Sequence, residues 1–291
     1  MAYKVDNAVI MAAGTASRFA PLSYERPKAL IEVKGEVLIE RQIRQLQEAG
    51  IPQIIVVVGY MKEDFRYLED KFGVILVDND SYLTRNNNAS IYAAKDYIRN
   101  TYICSSDNYF NENPFESEVD EAYYAAVFAQ GHTEEWCMQE DAEGFISQVQ
   151  VGGEDAWFML GHVFWSEEFS KAFLEILEKI YDLPETANVL WEKIFMDHLD
   201  VLKMKIRKYP ESFIFEFDTL DELRQFDTSY IDDTRSEILQ SVAQTLGCRQ
   251  RDIQEVHSYK DHTNAAAGVR FRVKDKYYEY SYTAKEITEV L

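Results

Sequence analysis

The stretch MAAGTASRFAPLSYERPKAL, residues 11–30, follows the short apolar run Ala8-Val9-Ile10 and carries Gly14, Arg18 and, ten residues on, Lys28. A strand ending in Ala12-Ala13-Gly14 and turning into a loop sets backbone N–H groups at the carboxyl edge of a sheet. Open α/β sheets bind ligands at that edge. The small residues Ala12, Ala13, Gly14 and Thr15 let a phosphate or a base come close to the main chain. Arg18 offers a planar fork suited to a polyphosphate, and Lys28, behind the stiff Pro27, offers a point charge. The loop is neither GxGxxG nor a Walker A sequence. On physics alone, a surface loop with incidental charges stays open beside the ligand-binding reading.

Working outward, residues 7–12 read as a buried strand and 36–49 as an amphipathic helix with Leu38, Ile39, Ile43, Leu46 and Ala49 on one stripe, stopped by Gly50. QIIVVVG at 53–59 is a second strand, apolar throughout as in a parallel sheet covered on both faces. A helix over 62–71, a strand at 74–77, a helix over 89–98 and a strand at 102–106 continue the alternation, which is the pattern of a parallel α/β sheet. The pattern then changes to closely spaced strands at 121–129, 135–140, 145–151 and 158–165, an antiparallel insert. Helices over 167–181 and 188–199 and strands at 203–209 and 213–218 follow. After the helical TLDELRQF comes an amphipathic helix over 233–247 ended by Gly247, then a hairpin over 270–282 turning near Lys274-Asp275. The expected organisation is a main domain over 1–228 and a small α+β appendage over 229–291.

The chain has 291 residues, 51 acidic and 30 basic, for a net charge of −21. Such a chain repels nucleic acid and anionic lipid, which are bound through Lys/Arg patches. Residues 1–66 hold nine Lys/Arg and eight Asp/Glu, a net +1, so the remainder carries −22 and the N-terminal part is where an anionic ligand is tolerated. Cys104, Cys137 and Cys248 are too scattered for a disulfide framework or a zinc site. The N-terminus lacks the plan of a signal peptide and no run approaches a membrane span, so a soluble cytoplasmic protein is expected. His162, within LGHVFW, reads as a core histidine.

The opening stretch resembles the signature loop of the sugar-nucleotidyltransferase superfamily, AAGxxSRFxPLTxxxPKxL, with Ala16 where the second glycine usually stands. Within that superfamily, VVGYMKEDF (57–65), RNNNASIY (85–92), SSDNYF (105–110), LWEKIF (190–195) and FEFDTLDEL (215–223) resemble bacterial CTP:phosphocholine cytidylyltransferases, so that the resemblance covers about residues 6–224. It implies a mostly parallel Rossmann-like sheet with an antiparallel insert, and a reaction in which a substrate phosphate attacks the α-phosphorus of CTP and releases pyrophosphate. Two anions must be brought together, so the site must neutralise charge and align the groups.

The resemblance further implies Mg²⁺ held by hard oxygen ligands. Asp107, behind the apolar strand TYICSS, and Asp218 form the firmer pair at the family's metal positions. Glu216 is the third ligand or a group behind the ligands. Period-two spacing sets Glu216 and Asp218 on one face of a strand. With Arg18 and Lys28, Asp107 and Asp218 make the expected catalytic set. Tyr60, Asn87, Asn88 and Ser90 fall where the family places the nucleotide. Asn86 is a further local amide, and a helix N-cap is the competing use of these Asn residues. For a quaternary ammonium, which wants ring faces and diffuse negative charge, Trp136 is the first candidate. Trp191, Glu192 and Tyr109 follow. Core packing is the competing role of each ring.

Residues 232–291 are similar to the opening of choline-kinase-like domains. No kinase catalytic loop or metal-binding Asp follows in the sequence, so kinase activity is not expected. A vestige, a dimerisation element and a lid are all open for the appendage, and a homodimer is compatible with the second. Other acceptors (phosphoethanolamine, aminoethylphosphonate, a sugar 1-phosphate) and a non-catalytic nucleotide-binding regulatory subunit are the alternatives to phosphocholine transfer. The intact set Arg18, Lys28, Asp107 and Asp218 argues against the regulator.

Overall fold

The computed structural model describes residues 2–261 and 266–290, so residues 262–265 of the kinase-like stretch lie outside the described residues. Contacts cluster the chain into two compact units. The first comprises residues 1–14 and 38–216, the second 15–37 and 217–291. The chain thus passes between the units directly after Gly14, Val37 and Glu216.

The first unit is built on a seven-stranded sheet. In chain order its elements are β1 (Asn7–Ala12), α1 (Leu38–Glu48), β2 (Ile54–Val58), α2 (Tyr67–Phe72), β3 (Ile75–Asp78), α3 (Asn88–Ala93), β4 (Thr101–Ser105), β5 (Asn108–Phe110), β6 (Tyr123–Glu140), β7 (Ile146–Trp165), α4 (Glu167–Ile180), α5 (Trp191–Met196), β8 (Lys205–Tyr209) and β9 (Ile214–Glu216). The sheet order is β8-β6-β7-β4-β1-β2-β3. β4, β1, β2 and β3 run parallel; the apolar runs of β4, β1 and β2 are buried, as the unbroken Ile54–Val58 run requires, while the edge strand β3 is only half-buried. β6 and β7 form one antiparallel hairpin with several register shifts. The four short strands expected between 121 and 165 are therefore two long ones, bent by bulges where glycine and polar residues interrupt the alternation. β5 and β9 form a separate antiparallel pair.

Three expected helices are shorter than their periodicity suggests. Residues 62–65 form a 3₁₀ turn ahead of α2, residues 95–97 form one behind α3, and α5 is confined to Trp191–Met196. The core beneath the sheet is aromatic. Trp165 packs on Phe169, Phe173 and Trp191, and Trp191 stacks on Tyr124. His162 is buried, 2.8 Å from the Tyr123 hydroxyl, and burial pulls its imidazole down to about 3, so it is a neutral core residue as expected.

The second unit holds the loop 15–37 together with α6 (Leu220–Phe226), α7 (Glu237–Leu246) and a four-stranded antiparallel sheet, β10 (Ile253–Lys260), β11 (Ala266–Val273), β12 (Lys276–Ser281) and β13 (Ile287–Val290). Gly247 ends α7 with φ +60, and β11 and β12 are the expected hairpin with its turn at Lys274-Asp275. The three cysteines are unpaired. Among the described residues, no helix is long and apolar enough to cross a membrane.

Candidate active site

In the first unit, β1 delivers the buried Ala12 and Ala13 to the carboxyl edge of the sheet, and Gly14 follows, exposed. The Tyr60 amide donates to the Ala13 carbonyl at 3.1 Å, so Tyr60 fixes the strand end through its backbone. Among the described residues no heavy atom lies within 4 Å of where a Gly14 Cβ would stand, and its φ is not positive. Nothing in the protein itself therefore requires glycine there. A group from outside that approaches the bare backbone would.

Asp107 stands half-buried in the turn between β4 and β5. Helix α1 fixes this corner. Gln42 donates to the Ser105 carbonyl at 3.0 Å, and the Arg41 guanidinium donates to the Phe110 and Asn111 carbonyls while lying 4.6 Å from the Tyr109 ring centroid. β9 pairs with β5 so that Glu216 faces Asn108, whose side-chain amide donates to the Glu216 carboxylate at 3.1 Å. Register thus brings Glu216 beside the neighbour of Asp107.

Arg18, Lys28 and Asp218 come together in the second unit. Arg18 Nη1 lies 2.7 Å from one Asp218 carboxylate oxygen and Lys28 Nζ 3.7 Å from the other. Arg18 is 74% exposed, whereas Lys28 is only 7% exposed, with its ammonium 5.5 Å from the Phe19 ring centroid. The two spaced cations of the opening loop thus converge on one carboxylate.

Glu216 and Asp218 do not share a strand face, contrary to the period-two expectation: β9 ends at Glu216. The cause is a capping box on α6. The Thr219 hydroxyl accepts from the Glu222 amide at 3.2 Å, and the Glu222 carboxylate accepts from the Thr219 amide at 3.2 Å and the Asp218 amide at 2.7 Å. The backbone leaves the strand to satisfy that box, and the box holds Asp218. Its signal, T-x-x-E at 219–222, was present in the sequence.

The amides expected near the base are engaged elsewhere. The Asn87 side-chain oxygen accepts from the Trp191 amide at 2.8 Å, and its nitrogen donates to the Glu192 carboxylate at 2.9 Å. Asn88 is buried and donates to the Thr186 carbonyl at 3.0 Å and to the Val189 carbonyl. Ser90 accepts from Asn79 at 3.2 Å. Asn87 occupies the N-cap position of α3, yet its side chain serves the first turn of α5 rather than its own helix.

The acceptor candidates divide. Trp191 is 2% exposed inside the aromatic core. Tyr109 is buried under the Arg41 guanidinium. Trp136 stands on β6 opposite Val151, partly exposed, with one side against the core. Burial pushes the Glu192 carboxyl up to about 7, against the Asn87 hydrogen bond that favours its charged form. Among the described residues no three His, Cys, Asp or Glu side chains are gathered to hold a metal ion.

Comparison with known proteins follows the same lines. The model of the MobA-like NTP transferase domain matches residues 8–138. The choline-phosphate cytidylyltransferase of Streptococcus pneumoniae is 32% identical over 220 residues, 76% of this chain and 96% of that protein. The 2-aminoethylphosphonate cytidylyltransferase of Lancefieldella rimae is 36% identical over 229 residues, 77% of this chain and 93% of that one. The solved structure of the Streptococcus pneumoniae CTP:phosphocholine cytidylyltransferase superposes with a TM-score of 0.74 at 32% identity, covering 78% of this chain and 99% of that one. With a sheet, a loop and two near-full-length relatives in agreement, the chain belongs to the MobA-like nucleotidyltransferases.

Proposed function

We propose that this nucleotidyltransferase is a Mg²⁺-dependent cytidylyltransferase that moves the cytidylyl group of CTP onto phosphocholine. The observation that carries the reading is the convergence of Arg18 and Lys28 on Asp218 in a chain 32% identical to nearly all of a choline-phosphate cytidylyltransferase. An acceptor phosphate oxygen forms the new bond to the α-phosphorus, and the bond to the bridging oxygen breaks, so that pyrophosphate leaves with the electron pair. The nucleophile is already an anion, so the protein's task is alignment and charge neutralisation. Lys28, nearly buried, serves the reacting phosphates. The exposed Arg18 serves the tail that becomes pyrophosphate. Ala12, Ala13, Gly14 and Thr15 offer the backbone to the phosphates.

Asp107, Glu216 and Asp218 are the carboxylates that this reading assigns to Mg²⁺, which would supply positive charge to phosphate oxygens when bound. Residues 1–228 are the transferase domain in this reading, and 229–291 an added element.

A second acceptor, 2-aminoethylphosphonate, is favoured by two observations. One is the 36% identity to a cytidylyltransferase of that name. The other is that Trp191 is closed in the core and Tyr109 is covered by Arg41, which leaves Trp136 as the partly exposed ring of the three. A primary ammonium asks for hydrogen-bond acceptors rather than an aromatic cage. Pyrophosphate release over four NTPs and a panel of phosphocholine, phosphoethanolamine, 2-aminoethylphosphonate and a sugar 1-phosphate tests both. CTP with phosphocholine is the expected pair. Preference for the phosphonate installs the second reading, and nucleotide binding without release with any acceptor overturns both.

A further inference from the structure

The loop that carries Arg18 and Lys28 clusters with the C-terminal unit, and its contacts there are specific. The turn Ser17–Phe19 packs on β10. Tyr24 stacks on Tyr282, with ring centroids 3.8 Å apart and planes 14° apart. The Glu25 carboxylate accepts from the Ile238 amide in the first turn of α7 at 2.8 Å. The Glu32 carbonyl accepts from the Tyr230 hydroxyl at 2.5 Å and from Arg235 Nη1 at 3.2 Å, and the Arg235 guanidinium also reaches the Glu32 carboxylate at 3.5 Å. The Arg235 guanidinium lies 4.5 Å from the Tyr230 ring centroid and donates to the Ser229 hydroxyl at 3.2 Å. These contacts fall at residues 17–19, 24–25 and 32, on both sides of Lys28 in sequence. Between them lies a cleft of about 400 Å³ whose lining includes Leu22, Arg26, Ile31 and Glu237. Residues 19–23 and 27–31 of the loop are buried, and the contacts of Tyr24, Glu25 and Glu32 tie down the more exposed segments beside those buried stretches.

We propose that the C-terminal element is a clamp for the phosphate-binding loop, with Tyr230 and Arg235 as its principal positioning residues and the Tyr24–Tyr282 stack as a second hold. The proposal rests on the reading of residues 12–28 as the nucleotide loop. It answers the question of what residues 229–291 do. They keep the loop in the one arrangement in which its two cations serve a polyphosphate. The alignment with the pneumococcal cytidylyltransferase takes in 96% of that protein but leaves about a quarter of this chain outside it, as an added device would. Neither Tyr230 nor Arg235 is a catalytic residue. Both act through Glu32 and the loop backbone.

The test uses the full chain with Tyr230→Phe combined with Arg235→Ala and, separately, Tyr24→Ala at a 44% exposed position where folding is not at stake. Three quantities are read: the KM for nucleotide, the KM for acceptor, and hydrogen exchange of the amides at 17–31. If the clamped arrangement falls to about a tenth of the population, the nucleotide KM rises about tenfold. The acceptor KM should stay unchanged, while exchange at 17–31 quickens and that of α7 does not. An unchanged nucleotide KM with unchanged exchange overturns the clamp. So do equal rises in both KM values, or a lower melting temperature and active fraction with both KM values intact. If the double variant does not fold, Tyr24→Ala decides by the same measures. If the wild-type chain transfers no nucleotidyl group at all, the functional reading has failed. Hydrogen exchange, with CTP binding by calorimetry in place of KM, then judges the clamp alone.

Discussion

Asp218→Asn should separate nucleotide binding from turnover. In the structure Asp218 occupies the two cations that a polyphosphate would use, at 2.7 Å from Arg18 and 3.7 Å from Lys28. The Arg18 arm is three-quarters exposed, so its pairing is worth no more than about 1 kcal/mol after solvent screening. The Lys28 arm is longer but better shielded from water and is given a similar weight. A neutral amide at 218 releases both, and with metal chelated CTP should bind between about fivefold and thirtyfold more tightly. The gain should shrink as salt is raised, because much of it comes from an exposed charge. Turnover in Mg²⁺ moves the other way. Losing one carboxylate assigned to the metal costs about 10²-fold or more, the size of one transition-state electrostatic contact. Calorimetric titration of CTP in chelator and pyrophosphate release in Mg²⁺ read the two effects separately. Weaker or unchanged CTP binding would refute the idea that Asp218 competes with the nucleotide for the loop cations. Near-normal turnover would remove Asp218 from the mechanism.

Gly14→Ala should leave the melting temperature unchanged or raise stability by up to about 1 kcal/mol, because the space for its methyl group is open and the unfolded chain loses freedom. CTP affinity should nevertheless fall about tenfold if a phosphate comes close to that backbone, and an unaltered affinity would take Gly14 out of the binding loop. Glu192 provides a pH test. Its carboxyl is raised from 4.5 to about 7 by burial, so the folded state holds a proton that the unfolded state has released in that interval. The associated stability is present below pH 4.5 and is lost as pH rises to 7, with an upper bound on the order of 3 kcal/mol. The wild-type melting temperature should therefore drop between pH 5 and 8 by more than that of Glu192→Gln, and parallel profiles would show that the carboxyl is not held neutral.

How much of this was legible in the sequence follows from the range of the forces involved. The parallel half of the sheet was readable because its strands are unbroken apolar runs separated by periodic helices, so a local pattern and a tertiary fact coincide. The hairpin of β6 and β7 was divided into four because bulges and glycines resemble turns when only neighbours in sequence are visible. At the site, Arg18 and Lys28 stood out as cations on a small-residue loop. That both meet Asp218, some two hundred residues on, has no local signal, nor does the transfer of residues 15–37 to the C-terminal unit. Ala16 is a partial exception. It stands where the family usually has glycine and adopts φ 46 and ψ 46, a left-handed conformation in which an L-residue costs about 1–2 kcal/mol. The glycine pattern was thus a correct sign of backbone shape even though the residue differs.

The three amides at 86–88 show how a polar cluster that suggests a nucleobase by composition also has work to do inside the protein. A side chain with four hydrogen-bonding positions looks made for a nucleobase, but a buried amide must first satisfy itself. Asn87 does so by accepting from the Trp191 amide and donating to the Glu192 carboxylate, and Asn88 by donating to carbonyls at 186 and 189. For Asn87 to read a base it would have to abandon its bond to Glu192, which costs about 0.5–1.5 kcal/mol while that carboxyl is protonated and about 1.5–3 kcal/mol once it is ionised. The cheaper arrangement leaves Asn87 in place as a strut. In that role it joins the start of α3, where the family places the nucleotide, to Trp191 and Glu192, which were candidates for the acceptor. Any movement of α3 on nucleotide binding would be passed by one side chain to the first turn of α5. In this chain, then, the side-chain bonds of Asn87 tie the start of α3 to the first turn of α5.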